Sequence, residues 1–185
     1  MRRNIITVFV LVLAVALAAA PARAENWYFG GGLDFADLKS DEPTLTDING
    51  YGLILNGGYR FNDNISLDVA ISSLAMQDSL GFDFTYSILS IGPKIDFMSV
   101  YNNGWSPWVL FSLTSHNLSW DFLFDEMDGF GVSFAFGADF RVTYSGVIQV
   151  AIRTHSFDGD PNYSALDFNT DATELTVSYI WNMWQ

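Results

Sequence analysis

The sequence contains no cysteine, so neither a disulfide nor a thiolate metal site is available to it. It is nearly as poor in positive charge. Eight Lys and Arg stand against 21 Asp and Glu in 185 residues, and Arg2, Arg3 and Arg23 all fall within the first 24. Beyond them only Lys39, Arg60, Lys94, Arg141 and Arg153 remain. Phosphate-backbone recognition needs clustered Lys and Arg, so nucleic acid is excluded as a partner. After residue 24 no apolar run is long enough for a transmembrane helix, yet 50% of the residues are hydrophobic and 16% aromatic. The hydrophobicity must therefore be distributed in some other way.

The long apolar run that does exist lies at the start. Met1-Arg2-Arg3-Asn4 leads into apolar residues from Ile5 to Ala20 and then Pro21-Ala22-Arg23-Ala24. A charged start, an apolar core and an Ala-x-Ala site predict a cleaved secretory signal peptide at 1–24, leaving 25–185 as one exported domain. An exported chain without disulfides is held by packing and hydrogen bonds, as a closed barrel is.

Alternation supplies the barrel. Apolar and polar residues exchange with a period of two over about 26–36, 51–61, 65–72, 82–97, 105–115, 130–142, 147–156 and 172–185. Polar stretches at 37–50, 73–81, 116–129 and 157–171 read as long, acidic loops, while Asn62-Asp63-Asn64, 98–104 and 143–146 read as short turns. Long and short connections alternating between an even number of strands predict an all-β, eight-stranded antiparallel up-and-down transmembrane β-barrel, with both ends on the periplasmic side. One segment resists. Leu89, Ile91, Ile95 and Phe97 share a face, but Phe82, Phe84 and Tyr86 fall on the other parity, which requires a bulge or a barrel that continues beyond the membrane.

Charge placement supports the membrane reading. Arg60, Lys94, Arg141 and Arg153 lie opposite the apolar face, and so do Asp34, Asp68, Asp96, Asp139 and Glu174. In a barrel of this size these groups are expected to fill the interior as a paired polar cluster with no open pore. Trp27, Phe61, Phe97, Phe140 and Trp181 gather at one end of the apolar face, with Phe35, Tyr51 and Phe130 at the other, as two aromatic girdles. The alternatives are a narrow pore and a soluble lipocalin-like ligand-binding barrel, whose charges would face outward.

Fragments such as Asn26-Trp27-Tyr28-Phe29-Gly30-Gly31-Gly32, Gly57-Gly58-Tyr59-Arg60-Phe61 and Ile91-Gly92-Pro93-Lys94 resemble the strands of small Gram-negative outer-membrane β-barrel proteins, the family of OmpX, the OmpA transmembrane domain and the opacity-type proteins. The resemblance implies a monomer in the cell outer membrane, surrounded by lipid and lipopolysaccharide, inserted by the barrel-assembly machinery, with a structural or surface-interaction role carried by its acidic external loops. It names no surface ligand. Relatives end on an aromatic residue, whereas here Trp184 is followed by Gln185.

Three motifs invite chemistry. Gly30-Gly31-Gly32 lacks the Lys-Ser or Lys-Thr of a phosphate loop and reads as small residues on a crowded interior face. Asp158-Gly159-Asp160-Pro161-Asn162 opens like a calcium loop, but Tyr163 and Asn169 replace the Gly and Glu that such a loop needs. His155-Ser156 with Asp158 resembles the triad of lipid A deacylases, yet adjacent His and Ser point to opposite faces of a strand. Both histidines, His116 and His155, are expected at external strand ends. No catalytic residue, metal or cofactor is expected, and a lipid A-modifying hydrolase stands as the enzymatic alternative.

Overall fold

The computed structural model describes residues 27–40, 48–77, 81, 83–120, 125–161 and 168–182. The proposed signal peptide, the tips of the upper connections and Trp184-Gln185 lie outside these residues. In chain order the elements are β1 (Trp27–Ser40), β2 (Ile48–Asn62), β3 (Ile65–Gln77), β4 (Asp83–Asp96), the single-turn helix α1 (Val100–Asn103), β5 (Trp105–Trp120), β6 (Asp125–Arg141), β7 (Gly146–Pro161) and β8 (Phe168–Asn182). Each strand pairs antiparallel with its sequence neighbours, and β8 returns to β1, so the sheet closes as an up-and-down barrel. Closure matters because it leaves no unpaired edge, the condition for strands to sit in hydrocarbon.

Trp27 and Asn182 lie at one end of the barrel, here termed the lower end, together with the β2–β3 turn, α1 and the β6–β7 turn. The β2–β3 turn is fixed by Asn62, whose Oδ1 accepts the backbone N–H groups of Asn64 and Ile65 at 2.9 Å each. Gly104 ends α1 with φ at 78°, and its N–H reaches the Val100 carbonyl at 2.9 Å. The left-handed conformation is one that glycine takes without a Cβ penalty.

The strands continue well past the lengths read from alternation, always at the upper end. Asp37–Ser40, Ser73–Gln77, His116–Trp120, Asp125–Gly129, Phe157–Pro161 and Phe168–Asp171 are strand and not loop. The reason is visible in their polarity. On β4 the residues Leu89, Ile91, Pro93 and Ile95 face outward in the lower part, where Ser90, Lys94 and Asp96 face inward. Above Ser90 the pattern reverses, with Asp83, Thr85 and Ser87 outward and Phe84, Tyr86 and Ile88 inward. The β3–β4 ladder is continuous from Ile65↔Ile95 to Gln77↔Asp83, so no bulge produces the change. Backbone parity is constant and the chemistry inverts.

The other strands invert at the same height. Outward residues pass from Phe35 to Asp37 on β1, from Tyr51 to Asn49 on β2, from Phe130 to Asp128 on β6 and from Leu175 to Thr173 on β8. Inward residues pass from Asp34 to Leu38, from Ser72 to Leu74 and Met76, and from His155 to Phe157. Below this level the outer face is apolar and the lumen holds the charged side chains beside small apolar clusters around Tyr28 and Trp108; above it the outer face is polar and the lumen mainly apolar. The outward apolar stretch from Trp27 to Phe35 is about nine residues, the length that a tilted strand needs to cross a hydrocarbon core. This order excludes a wholly soluble lipocalin-like barrel, whose outer face would be polar along its whole length.

Small residues allow close strand approach. A Cβ at Gly32 would strike the Val177 carbonyl and Ser178 on β8, at the seam that closes the barrel. Gly32→Val is therefore expected to prevent closure, read as loss of the heat-modifiable compact band on a gel. The height of the inversion makes a second prediction. Val109→Arg, in the apolar band of β5, is expected to lower folding stability in lipid vesicles by ~2–4 kcal/mol, and Asn117→Arg, above it on the same face, by ~0–1 kcal/mol. Equal losses in denaturant titrations would place the band elsewhere.

Candidate functional site

The lumen brings together the polar side chains that the strands turn inward, and it is layered. In the lower layer β4 supplies Lys94 and Asp96, β6 supplies Asp139, and β5 and β7 supply Trp108 and Gln149. Lys94 Nζ lies 2.7 Å from Asp139 Oδ2 and 3.4 Å from Asp96 Oδ1. The other oxygen of Asp139 accepts from Trp108 Nε1 at 2.7 Å and from Gln149 Nε2 at 3.0 Å. The Lys94 ammonium also sits 4.7 Å from the Trp108 ring centroid. A buried ammonium between two carboxylates, over an indole face, has the compensation that a buried charge requires. Nearby, Tyr28 donates to Asp68 Oδ2 at 2.8 Å, and the Arg60 guanidinium lies 6.0 Å from the Tyr28 ring.

The middle layer contains Asp34, Glu174 and Arg153. Arg153 donates from Nη1 to Ser90 Oγ across the barrel at 3.2 Å. Glu174 Oε2 lies 3.0 Å from His155 Nε2, and Asp34 is within electrostatic reach of Glu174 and Arg153. Ser112 and Ser133 bridge β5 and β6 at 2.6 Å.

The upper layer is a packed cap. Tyr86 Oη and His116 Nδ1 are 2.6 Å apart, and His116 Nε2 is 2.7 Å from Thr114 Oγ1. The His116 ring stacks on Phe157 at 3.9 Å between centroids, and His155 meets it edge-on at 5.3 Å. Leu38, Ile48, Leu74, Met76, Phe84, Ile88 and Leu118 complete a buried cluster above these rings. Both histidines thus sit deep in the lumen, at 1% and 2% exposure, and not at the exposed strand ends expected of them. The strands simply continue beyond them.

Of the charged residues expected inside, Asp34, Arg60, Asp68, Lys94, Asp96, Asp139, Arg153 and Glu174 are buried. Arg141 is not; it is half-buried at the lower rim, where its Nε donates to the Thr143 carbonyl and its guanidinium lies 5.5 Å from the Tyr144 ring. Among the residues read as girdles, Trp27, Phe35, Tyr51, Phe97, Phe130, Phe140 and Trp181 are exposed on the outer face, and Phe61 is half-buried. Tyr59 shares their parity but is covered, edge-on to Trp27 and to Phe61. Trp108, Gln149, Tyr28 and the cap were not singled out from sequence. The signal was available: Pro107, Val109 and Phe111 face outward, which leaves Trp108 to the lumen.

Ser156 points outward while His155 points inward, with β7 continuing to Pro161, so the two do not form a nucleophile–base pair. The segment compared with a calcium loop begins as strand up to Pro161, and 162–167 lie outside the described residues. Among the described residues no group of three or more His, Asp or Glu is arranged to hold a metal ion.

Residues 7–180 match the outer membrane protein beta-barrel domain family. No curated protein matches the chain. Among solved structures, the neisserial surface protein A aligns with a TM-score of 0.70 at 18% identity, covering 84% of this chain and 96% of that one. OprG from Pseudomonas aeruginosa aligns at 0.56 and 12%, covering 88% and 97%. Ail, the attachment invasion locus protein of Yersinia pestis, aligns at 0.53 and 17%, covering 85% and 99%. At such identities these likenesses speak for the fold. The inverted barrel with its apolar belt and charged lumen belongs, by its family match, to the outer membrane protein beta-barrel domain family.

Proposed function

We propose that this protein is a sealed, non-conducting barrel of the outer membrane, exported by cleavage of residues 1–24 and acting as a structural or surface-interaction element through its upper, external rim. The observation that carries this reading is the cap. Apolar side chains and the Tyr86–His116–Phe157 stack fill the upper lumen, above a middle and lower lumen crossed by Arg153, Lys94 and their partners. Within the cap an ion meets mainly apolar side chains, and in the lower lumen it meets Lys94 already held between Asp139 and Asp96.

The rim itself supports a choice of partner. Asp37, Asp83, Asp128, Asp158 and Asp171 face outward and are exposed, and Lys39 is the one basic residue of the upper half. Ail has been seen in complex with the heparin analogue sucrose octasulfate. A rim this acidic repels polyanions of that kind and suits neutral or cationic groups on a partner surface. The hydrolase-like trio of His155, Ser156 and Asp158 is split between the two faces of β7 and does not form a triad.

Planar-bilayer recording tests the seal. The wild type is expected to give no steady conductance, and the double variant Tyr86→Ala/Phe157→Ala, which removes the stacked rings, is expected to give discrete openings. A steady wild-type current would overturn the reading in favour of a narrow pore.

A further inference from the structure

The chain has two histidines, and the fold brings both to one place, the base of the cap. His116 of β5 and His155 of β7 are buried, with ring centroids 5.3 Å apart and planes at 89°. Their partners differ. His155 Nε2 lies 3.0 Å from a carboxylate oxygen of Glu174, so a positive charge on that ring has a counter-charge beside it. His116 has two hydroxyls instead, Tyr86 Oη at 2.6 Å from Nδ1 and Thr114 Oγ1 at 2.7 Å from Nε2. A neutral imidazole accepts at one nitrogen and donates at the other, so these hydroxyls satisfy it in either tautomer.

The other surroundings of His116 hold no counter-charge. Its ring stacks on Phe157 at 3.9 Å between centroids and on Tyr86 at 5.7 Å. β6 passes with Gly129, in register with His116, and with Gly131, where a Cβ would strike Phe157. β2 and β3 add Ile48, Leu74 and Met76 to the cap, and β4 adds Phe84 and Ile88. The charged groups that face the pair are Glu174 of β8, Asp34 of β1 and Arg153 of β7. They belong to the layer beneath, where Glu174 meets His155 and Arg153 reaches Ser90. A second proton on His116 would put a cation without a counter-charge into this packed interior. His116 lies above the belt, and burial, with His155 beside it, holds its imidazole far below the ordinary value of about 6.5.

We propose that His116 is an acid-sensitive latch of the cap. While the ring is neutral, its stack and its two hydroxyl bonds hold Tyr86 and Phe157 in the upper lumen. The ring takes a proton from solution when the cap parts, so acid draws the cap toward its open form. The closed form binds that proton far more weakly than the open form, in which the hydrated ring titrates in its ordinary range. Closure is therefore fully favoured above that range and is lost progressively below it. The open-to-closed ratio rises about tenfold per pH unit there, or roughly thirtyfold between about pH 7.5 and about pH 5. The latch rests on the reading of the cap as the seal of the lumen, and it gives that seal a condition under which it opens.

The chain has no cysteine, so a single introduced thiol reports on the cap. Leu118→Cys places one inside the cap, and Thr85→Cys places one on the exposed outer face of the same upper half. Each is labelled with a water-soluble maleimide in phosphatidylcholine nanodiscs at both pH values. Dividing the buried site's rate by the exposed site's rate at the same pH removes the ionisation of the thiol itself. With His116 present, the ratio is expected to be far below one at the higher pH and at least about tenfold greater at the lower. Two changes remove the titrating ring: Tyr86→Phe/His116→Phe keeps both aromatic faces, and His116→Gln keeps a donor and an acceptor. In either background the ratio is expected to stay within about twofold across the same range, and heat-modifiable migration verifies that each barrel is folded. A ratio insensitive to pH with His116 present, or one that rises equally in the variants, overturns the latch and leaves the seal standing. A ratio near one already at the higher pH overturns both.

Discussion

Everything in this barrel depends on the lock between backbone parity and hydrogen-bonding. In a closed antiparallel sheet each residue is committed to the lumen or to the outside, and a one-residue slip in any strand would have to propagate around all eight. The medium outside is not constant along the strand, since it is hydrocarbon over the lower part and polar above. With the backbone unable to change face, the sequence changes instead. Asp83, Thr85 and Ser87 take the outward positions that Leu89, Ile91 and Ile95 hold lower on β4, and the apolar residues move to the lumen. The lower part is organised by lipid outside and paired charge inside, the upper part by a hydrophobic core of the ordinary soluble kind.

The two regimes stabilise differently. In the upper part, fully burying Leu, Ile, Met or Phe contributes ~1.5–3 kcal/mol per side chain relative to exposure. In the lower lumen the charges must offset their own desolvation, and such groups contribute little net stability against a hydrophobic filling. What they do is fix geometry. Asp139 binds Lys94, Trp108 and Gln149 at once, drawing together side chains from β4, β5, β6 and β7. Removing one member leaves others buried and unpaired, a cost of about 3–5 kcal/mol for an ion pair. The lumen is therefore held closed by contacts that penalise partial opening.

Much of this was legible in the sequence, and what was not has one cause. The lower halves of the strands carry a clean alternation because one side of each meets lipid, so strand number, direction, the outward aromatics and eight of the nine lumen charges can be read directly. Reading with a single medium in mind then fails where the medium changes. At 116–129 and 157–171 the outward positions are acidic, which looks like loop, although Leu118 and Phe157 are buried core residues of continuing strands. Phe84 and Tyr86 carry the same message on β4. Arg141 fails for a different reason: its parity is inward, but it sits so close to the lower rim that solvent and Tyr144 reach it. Tyr59 is the converse, outward by parity and covered by its aromatic neighbours. Such end effects depend on neighbouring strands and have no signature in a single strand.

The inversion also decides where recognition is possible. Above the belt the lumen is filled, so a ligand approaching from that side meets only the outward residues and the connections between strands. Because the strands carry on past the belt, the outward aspartates stand on rigid sheet, held at register positions such as Asp37↔Thr173 and Lys39↔Asp171. A charge pattern fixed on a sheet costs less ordering on binding than the same pattern on a long loop. The acidic residues of the rim thus form a charge pattern preorganised on rigid sheet, interrupted by Lys39 in register with Asp171.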